Sequence, residues 1–221
     1  DPDAGDDSVL LLVDLSNAFN LVSRTKFMEE ASRTSCTKGL FAFAHCLYGS
    51  HTNLYAEGYG EIILSRTGVM QGCTIAGLLV NLAIMSLLKA ISSENPGLVY
   101  NAWYHDDGTI KGPRAAIRNV VKMLLERGPE YGCYLNTKKT AIYAPSAHPH
   151  DLFTDFPASF KLVKTPGVKL LGSVVSTDHD FIKQAIYEKL ADLRLKLDRC
   201  AHFVDSQVSR LLLQYCFSFS G

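Results

Sequence analysis

An α+β architecture, with helices packed on one face of a sheet, is what the sequence predicts, and three observations carry it. The stretch SVLLLVDL (8–15) is a short apolar run that ends in a carboxylate, as expected of a strand buried on both faces. Two segments, NLYAEGYGEIILS (53–65) and GLVYNAWYHDDGTIKG (97–112), read as hairpins around glycine-containing turns. Runs with helical spacing separate them, so the order is strand, helices, hairpin, helix, hairpin, helix, strand. Helices gathered on one face of such a sheet leave the other free to hold a ligand.

The elements follow in chain order. SRTKFMEEASRT (23–34) reads as a helix with Ser23 as its N-cap, and KGLFAFAHCLY (38–48) as a second. After the 53–65 hairpin, RTGVMQG (66–72) leads into a long helix over 75–91. That stretch is apolar but broken by Asn81, Ser86 and Lys89, which suits a core helix rather than a membrane span. In AAIRNVVKMLLERG (115–128), Ile117, Val120, Val121, Leu124 and Leu125 recur at helical spacing and Gly128 closes the run. CYLNTKKTAIYA (133–144) reads as a further strand region, and VKLLGSVVS (168–176) as a strand with a bulge glycine. The tail from Phe181 to Phe217 is helical in pattern and rich in basic residues.

Composition narrows the function classes. At 221 residues, 47% hydrophobic and 20% charged, the chain can bury a substantial core. The acidic opening DPDAGDD does not match the basic start of a signal peptide. Six cysteines (36, 46, 73, 133, 200, 216) include no Cys-x-x-Cys pair. That speaks against a zinc knuckle or a disulfide framework and for an intracellular location, nuclear or cytoplasmic. His148 and His150 flank a proline and are expected in solvent, and His45, beside Cys46, is expected to pack within its helix. Net charge is zero, yet residues 1–110 carry six Lys/Arg against twelve Asp/Glu, and residues 111–221 sixteen against ten. A metal-binding half joined to a half facing a polyanion would show this asymmetry, and so would a chance distribution of solvated charge.

Two acidic strand ends stand out: Asp14 after LLLV, and Asp106 with Asp107 after VYNAWYH. By itself HDDG reads as a hairpin turn before it reads as a metal site. If the two strands were neighbours, three carboxylates would converge at one end of the sheet. Gathering that much like charge is costly unless divalent cations neutralise it, and hard oxygen ligands suit magnesium.

These residues resemble the motifs of a reverse transcriptase, most closely those of a non-LTR retrotransposon. VDLSNAFN (13–20) resembles motif A, GVMQGCTIAGLLVNLAI (68–84) motif B, WYHDDG (103–108) motif C, GCYLNTKKT (132–140) motif D and KLLGSVVS (169–176) motif E. Five motifs in their proper order form a specific signal, where any one alone is weak. The resemblance implies a polymerase palm, an antiparallel sheet backed by helices on one face, over residues 1–176. Residues 177–221 would begin a helical thumb. It further implies two Mg2+ ions, with Mn2+ able to substitute, held by Asp14 and Asp106 with Asp107 as the accessory carboxylate. The implied partners are an RNA template, a DNA primer and dNTPs, with no membrane. Phe19 would be the steric gate against a 2′-hydroxyl. Gln71 and Gly72 would position template and incoming nucleotide, Lys139 would relieve charge on the leaving pyrophosphate, and Leu171 and Gly172 would form the primer grip. Lys138 competes with Lys139 for the motif D role.

Some positions depart from the pattern: Thr74 stands where proline is common, Asn17 and Asn20 replace the usual motif A neighbours, and His105 separates the aromatic from the aspartates. They leave room for a catalytically silent relative serving as an RNA-binding or assembly module. A nucleotidyl cyclase also pairs a strand-end Asp with an acidic hairpin, but it gives VMQGCTIAG and YLNTKKT no role. The basic fingers of the family precede motif A and are expected to be missing, with the rest of a parent polyprotein, so the chain alone should extend a primer weakly or not at all. In a primer-extending parent protein, Phe19→Val is expected to admit ribonucleotides. Equal exclusion of ribonucleotides by that variant in a primer-extension assay would overturn the gate assignment.

Overall fold

The computed structural model describes residues 7–33, 35–55, 58, 62–144, 154–203 and 205–216. Contacts group the chain into two compact units, Asp1–Val163 and Lys164–Gly221.

The first unit is built on a five-stranded sheet in the order β4-β5-β1-β6-β7. Its strands are β1 (Ser8–Asp14), β4 (Tyr100–Tyr104), β5 (Asp107–Pro113), β6 (Ala141–Tyr143) and β7 (Lys161–Leu162). All neighbours are antiparallel except β6 and β7. The separate β2 (Thr52–Leu54) and β3 (Ile63–Ser65) pair antiparallel, matching the hairpin expected over 53–65.

Burial along β1 alternates, with Val9, Leu11 and Val13 buried and Leu10, Leu12 and Asp14 half-buried. The continuous apolar run suggested burial on both faces. Instead, side chains of period two send alternate residues to opposite faces, and helices cover only one of them. On the covered face Val9, Leu11, Val13 and Ile110 meet helix α5 (Arg114–Arg127) through Ile117, Val120, Val121 and Leu124. Leu125, though spaced for the core, is left exposed.

Helix α4 (Ala76–Glu94) serves two cores at once. Ile84, Leu87 and Ile91 join the sheet cluster, while Leu79, Val80, Leu82 and Ala83 join a second cluster with Phe27 and Ala31 of α2 (Arg24–Arg33) and Ala44 and Tyr48 of α3 (Lys38–Tyr48). That division explains an apolar helix of membrane-span length inside a packed domain. Ser23 caps α2, its hydroxyl accepting from the Lys26 amide at 3.4 Å. His45 lies exposed on α3 against the Phe41 ring, not packed inside, because Ala44 and Tyr48 already occupy the buried side of that turn. His148 and His150 lie outside the described residues.

Two expected strands are resolved differently. Of 133–144 only Ala141–Tyr143 is strand; the remainder is a loop tied down by Asn136 N–H to the Asp14 carbonyl at 2.9 Å and Ser16 N–H to the Tyr134 carbonyl at 2.7 Å. In the second unit, residues 167–176 form a hairpin of β8 (Gly167–Leu170) and β9 (Ser173–Ser176) rather than one bulged strand. Leu171 (φ 45°) and Gly172 (φ 79°) form its two-residue turn, both left-handed. This hairpin belongs to the same unit as α6 (His179–Ala201) and α7 (Ser206–Cys216). Asp178 starts α6 by accepting from the amides of Asp180 and Phe181.

Ile110, on β5 opposite Leu11, has no exposure and packs in the cluster that includes α5. Ile110→Ala is expected to cost about 3 kcal/mol in chemical denaturation, whereas Leu12→Ala on the open face should cost about 1 kcal/mol.

Candidate active site

The register of β1 against β5 places Asp14 directly opposite Asp107. Opposed residues in a sheet share a face, and β1 presents Asp14 on the open one. The next rung toward the turn carries a hydrogen bond from Leu15 N–H to the Asp106 carbonyl at 3.2 Å. Asp14 and Asp107 therefore form a non-hydrogen-bonded pair, the kind whose Cα atoms approach to about 4.5 Å and whose side chains lie closest. Tyr104 is the partner of Asp107 on its other side, so Tyr104, Asp107 and Asp14 make one rung across three strands. Asp106 sits beside them in the two-residue turn with His105.

Electrostatics record this crowding. The Asp107 carboxyl is pushed above the ordinary carboxylate range, first by loss of hydration and then by the charges of Asp106 and Asp14; Lys139 pulls it back. The Lys139 ammonium stands 3.7 Å from Asp14 Oδ2, largely in solvent. It is carried there by the 133–140 loop, where Lys139 N–H bonds the Asn136 carbonyl at 3.1 Å. Thr140, fully buried, accepts from the Asp14 amide through its hydroxyl at 3.4 Å. Among the described residues, Lys138 has no ion pair with Asp14, so of the two lysines it is Lys139 that lies beside this carboxylate. Asp14, Asp106 and Asp107 are the donors that could hold a divalent cation. Among the described residues no three metal-ligating side chains already converge as a set.

Phe19 lies on the short helix α1 (Ala18–Leu21) and meets the His105 ring edge-on, centroids 5.8 Å apart. The segment leading to Gln71 is laced to α1 and α2. Val69 N–H bonds the Phe19 carbonyl at 2.7 Å, and Gly68 N–H bonds that of Val22 at 2.9 Å. The Arg24 guanidinium donates to the carbonyls of Gly68, Ser65, Thr67 and Ser50 at 2.9–3.4 Å and to the Ser65 hydroxyl at 2.8 Å. It also lies over the Tyr48 ring, 5.3 Å from its centroid, and the Tyr48 hydroxyl accepts from the Met70 amide at 3.2 Å. Gln71 and Gly72 emerge exposed from this scaffold.

Residues 3–175 match the sequence model of the family described as reverse transcriptase (RNA-dependent DNA polymerase). The chain belongs to the reverse transcriptase family. Among solved structures, apo telomerase from Candida tropicalis truncated from its C-terminal domain matches with a TM-score of 0.55 at 13% identity, over 76% of this chain and 34% of that one. Apo telomerase from Candida tropicalis matches at 0.53 and 10% identity, over 76% and 31%. At these identities the likeness is one of fold, and the chain spans about a third of the length of those structures. No curated protein sequence matches the chain.

In this reverse transcriptase domain the structure sets Asp14 opposite Asp107 with Lys139 beside Asp14, leaves Asp106 in the adjoining turn, and brings Phe19 to the same turn through His105. Leu171 and Gly172 lie in the second unit, at the exposed tip of its hairpin, where the Lys189 ammonium bonds the Gly172 carbonyl at 3.1 Å. Sequence reasoning missed Arg24, whose role depends on carbonyls 26 to 44 positions away and leaves no local signal. A raised carboxyl pKa means that the folded state holds its proton more tightly than the unfolded chain. Stability contributed here therefore falls as pH rises through the window just above the ordinary Asp value. Asp107→Asn is expected to flatten that slope in a series of thermal melts and to raise stability at neutral pH by about 0.5 kcal/mol, the size of one like-charge cross-strand pair.

Proposed function

We propose that the chain is the palm of an RNA-directed DNA polymerase of the non-LTR retrotransposon type, transferring dNTPs onto a primer 3′-hydroxyl along an RNA template. The observation that carries this reading is the rung that sets Asp14 against Asp107 beside Asp106. These carboxylates would hold two Mg2+ ions, with Mn2+ able to substitute. Their hard oxygens suit such ions, and the like charge of Asp106 and Asp14 that adds to lost hydration in raising the Asp107 pKa is what a divalent cation would relieve. When bound, the ions supply charge neutralisation and Lewis acidity at the reacting oxygens.

The remaining roles rest on this chain's own side chains. Lys139, exposed beside Asp14, can leave its carboxylate for a newly charged pyrophosphate and offset that charge. Phe19 closes the space beneath the nucleotide sugar and so disfavours a 2′-hydroxyl. Gln71 and Gly72, held out by the Arg24 scaffold, contact template and incoming nucleotide, the glycine permitting close backbone approach. Leu171 and Gly172 would steady the primer. The basic residues of 111–221 would face the nucleic acid backbone, in an intracellular setting and alongside the remaining domains of a parent protein.

A second reading, a catalytically silent RNA-binding or assembly module, draws on the Lys139 ammonium that stands where a cation would bind at Asp14. Manganese binding followed by electron paramagnetic resonance separates the two, with folding checked by circular dichroism. The polymerase reading expects one site weakened by about tenfold or more, roughly 1.4 kcal/mol, in each of Asp14→Asn, Asp106→Asn and Asp107→Asn. Binding that is absent, or indifferent to Asp14, would put the silent module first.

A further inference from the structure

His105 is a residue that the proposed chemistry does not use, yet three motif segments meet on its ring. It occupies the first position of the two-residue turn between β4 and β5 at φ 54°, a left-handed conformation that favours glycine. One side of the ring takes the edge of Phe19 at 5.8 Å and 63°, and Tyr104 lies at 4.7 Å on another. The Cε1 apex points at Gly77 in the first turn of α4. A Cβ built on Gly77 would stand 2.6 Å from Cε1 and 3.3 Å from each ring nitrogen. Nδ1 is buried and, among the described residues, has no hydrogen-bond partner. No hydrogen bond at that nitrogen fixes the ring, so what fixes it there is packing between α1 and α4.

We infer that His105 is a specificity-positioning residue: its ring is the wedge that sets where the Phe19 ring stands, and Gly77 is the gap that admits it. The inference rests on the polymerase reading for its consequence, since Phe19 selects the sugar only if a nucleotide binds there. Removing the wedge leaves a space beside Phe19 into which its ring can withdraw, opening room for a 2′-hydroxyl. A methyl group at Gly77 acts in the opposite sense, driving the imidazole toward Phe19.

The test has two readouts on the full chain. Phenylalanine labelled with carbon-13 reports the Phe19 ring by NMR, its signals assigned by their loss in Phe19→Leu. Calorimetry then compares dGTP with GTP in the presence of magnesium. His105→Asn removes the ring while keeping a residue that tolerates positive φ; Gly77→Ala keeps the ring but displaces it. In both variants the Phe19 signals should move while those of Phe156 and Phe160, buried in the sheet cluster rather than the one Phe19 packs against, stay in place. In His105→Asn the deoxy-to-ribo affinity ratio should fall by about tenfold, as small changes in pocket shape typically produce. Phe19 signals unmoved in both variants would overturn the inference, as would an unchanged ratio once they had moved. Wild-type protein that binds neither triphosphate counts against the polymerase reading instead, and the Phe19 signals still decide whether His105 positions that ring.

Discussion

Seven consecutive rungs hold β1 to β5, from Ser8 opposite Pro113 to Asp14 opposite Asp107, and a slip of one residue along them would undo both the core and the site. Side chains alternate with period two, so such a slip would turn Val9, Leu11 and Val13 away from α5 and send Asp14 toward the helices. Burial of those apolar residues therefore enforces the register, and the register delivers the carboxylates to the open face. The stability of the core and the geometry of the site are one constraint seen from two sides of the same strand.

What that constraint assembles is electrostatically unfavourable. Asp14 and Asp107 share a rung with Asp106 in the adjoining turn, and the raised pKa of Asp107 reflects first its lost hydration and then the charges of Asp106 and Asp14. Lys139 offers partial relief from a solvent-exposed position, where an ion pair contributes little to stability. Such a contact is easily exchanged for another.

Around this centre the supporting contacts are made by backbone carbonyls and rings. Arg24 gathers the carbonyls flanking the β2–β3 hairpin, and the laces to Phe19 and Val22 continue that hold up to Met70. Helix α4 then runs from this loop through both cores, so displacement of the Gln71 turn is resisted by packing on two sides.

The sequence by itself determined the order of the elements, the bounds of α3, both hairpins of the first unit and the identity of the acidic strand ends. Those features depend on local periodicity, capping and turn chemistry, which neighbours in the chain express. Only the tertiary structure decided that Asp107 rather than Asp106 faces Asp14, that Lys139 rather than Lys138 reaches it, and that Arg24 organises the loop before Gln71. It also divided 167–176 into a hairpin grouped with the tail helices, where the sequence read one strand. Each of these turns on a pairing between residues distant in the chain. Adjacent residues of the same type carry the same local propensities, and only the register of a partner strand or loop can tell them apart.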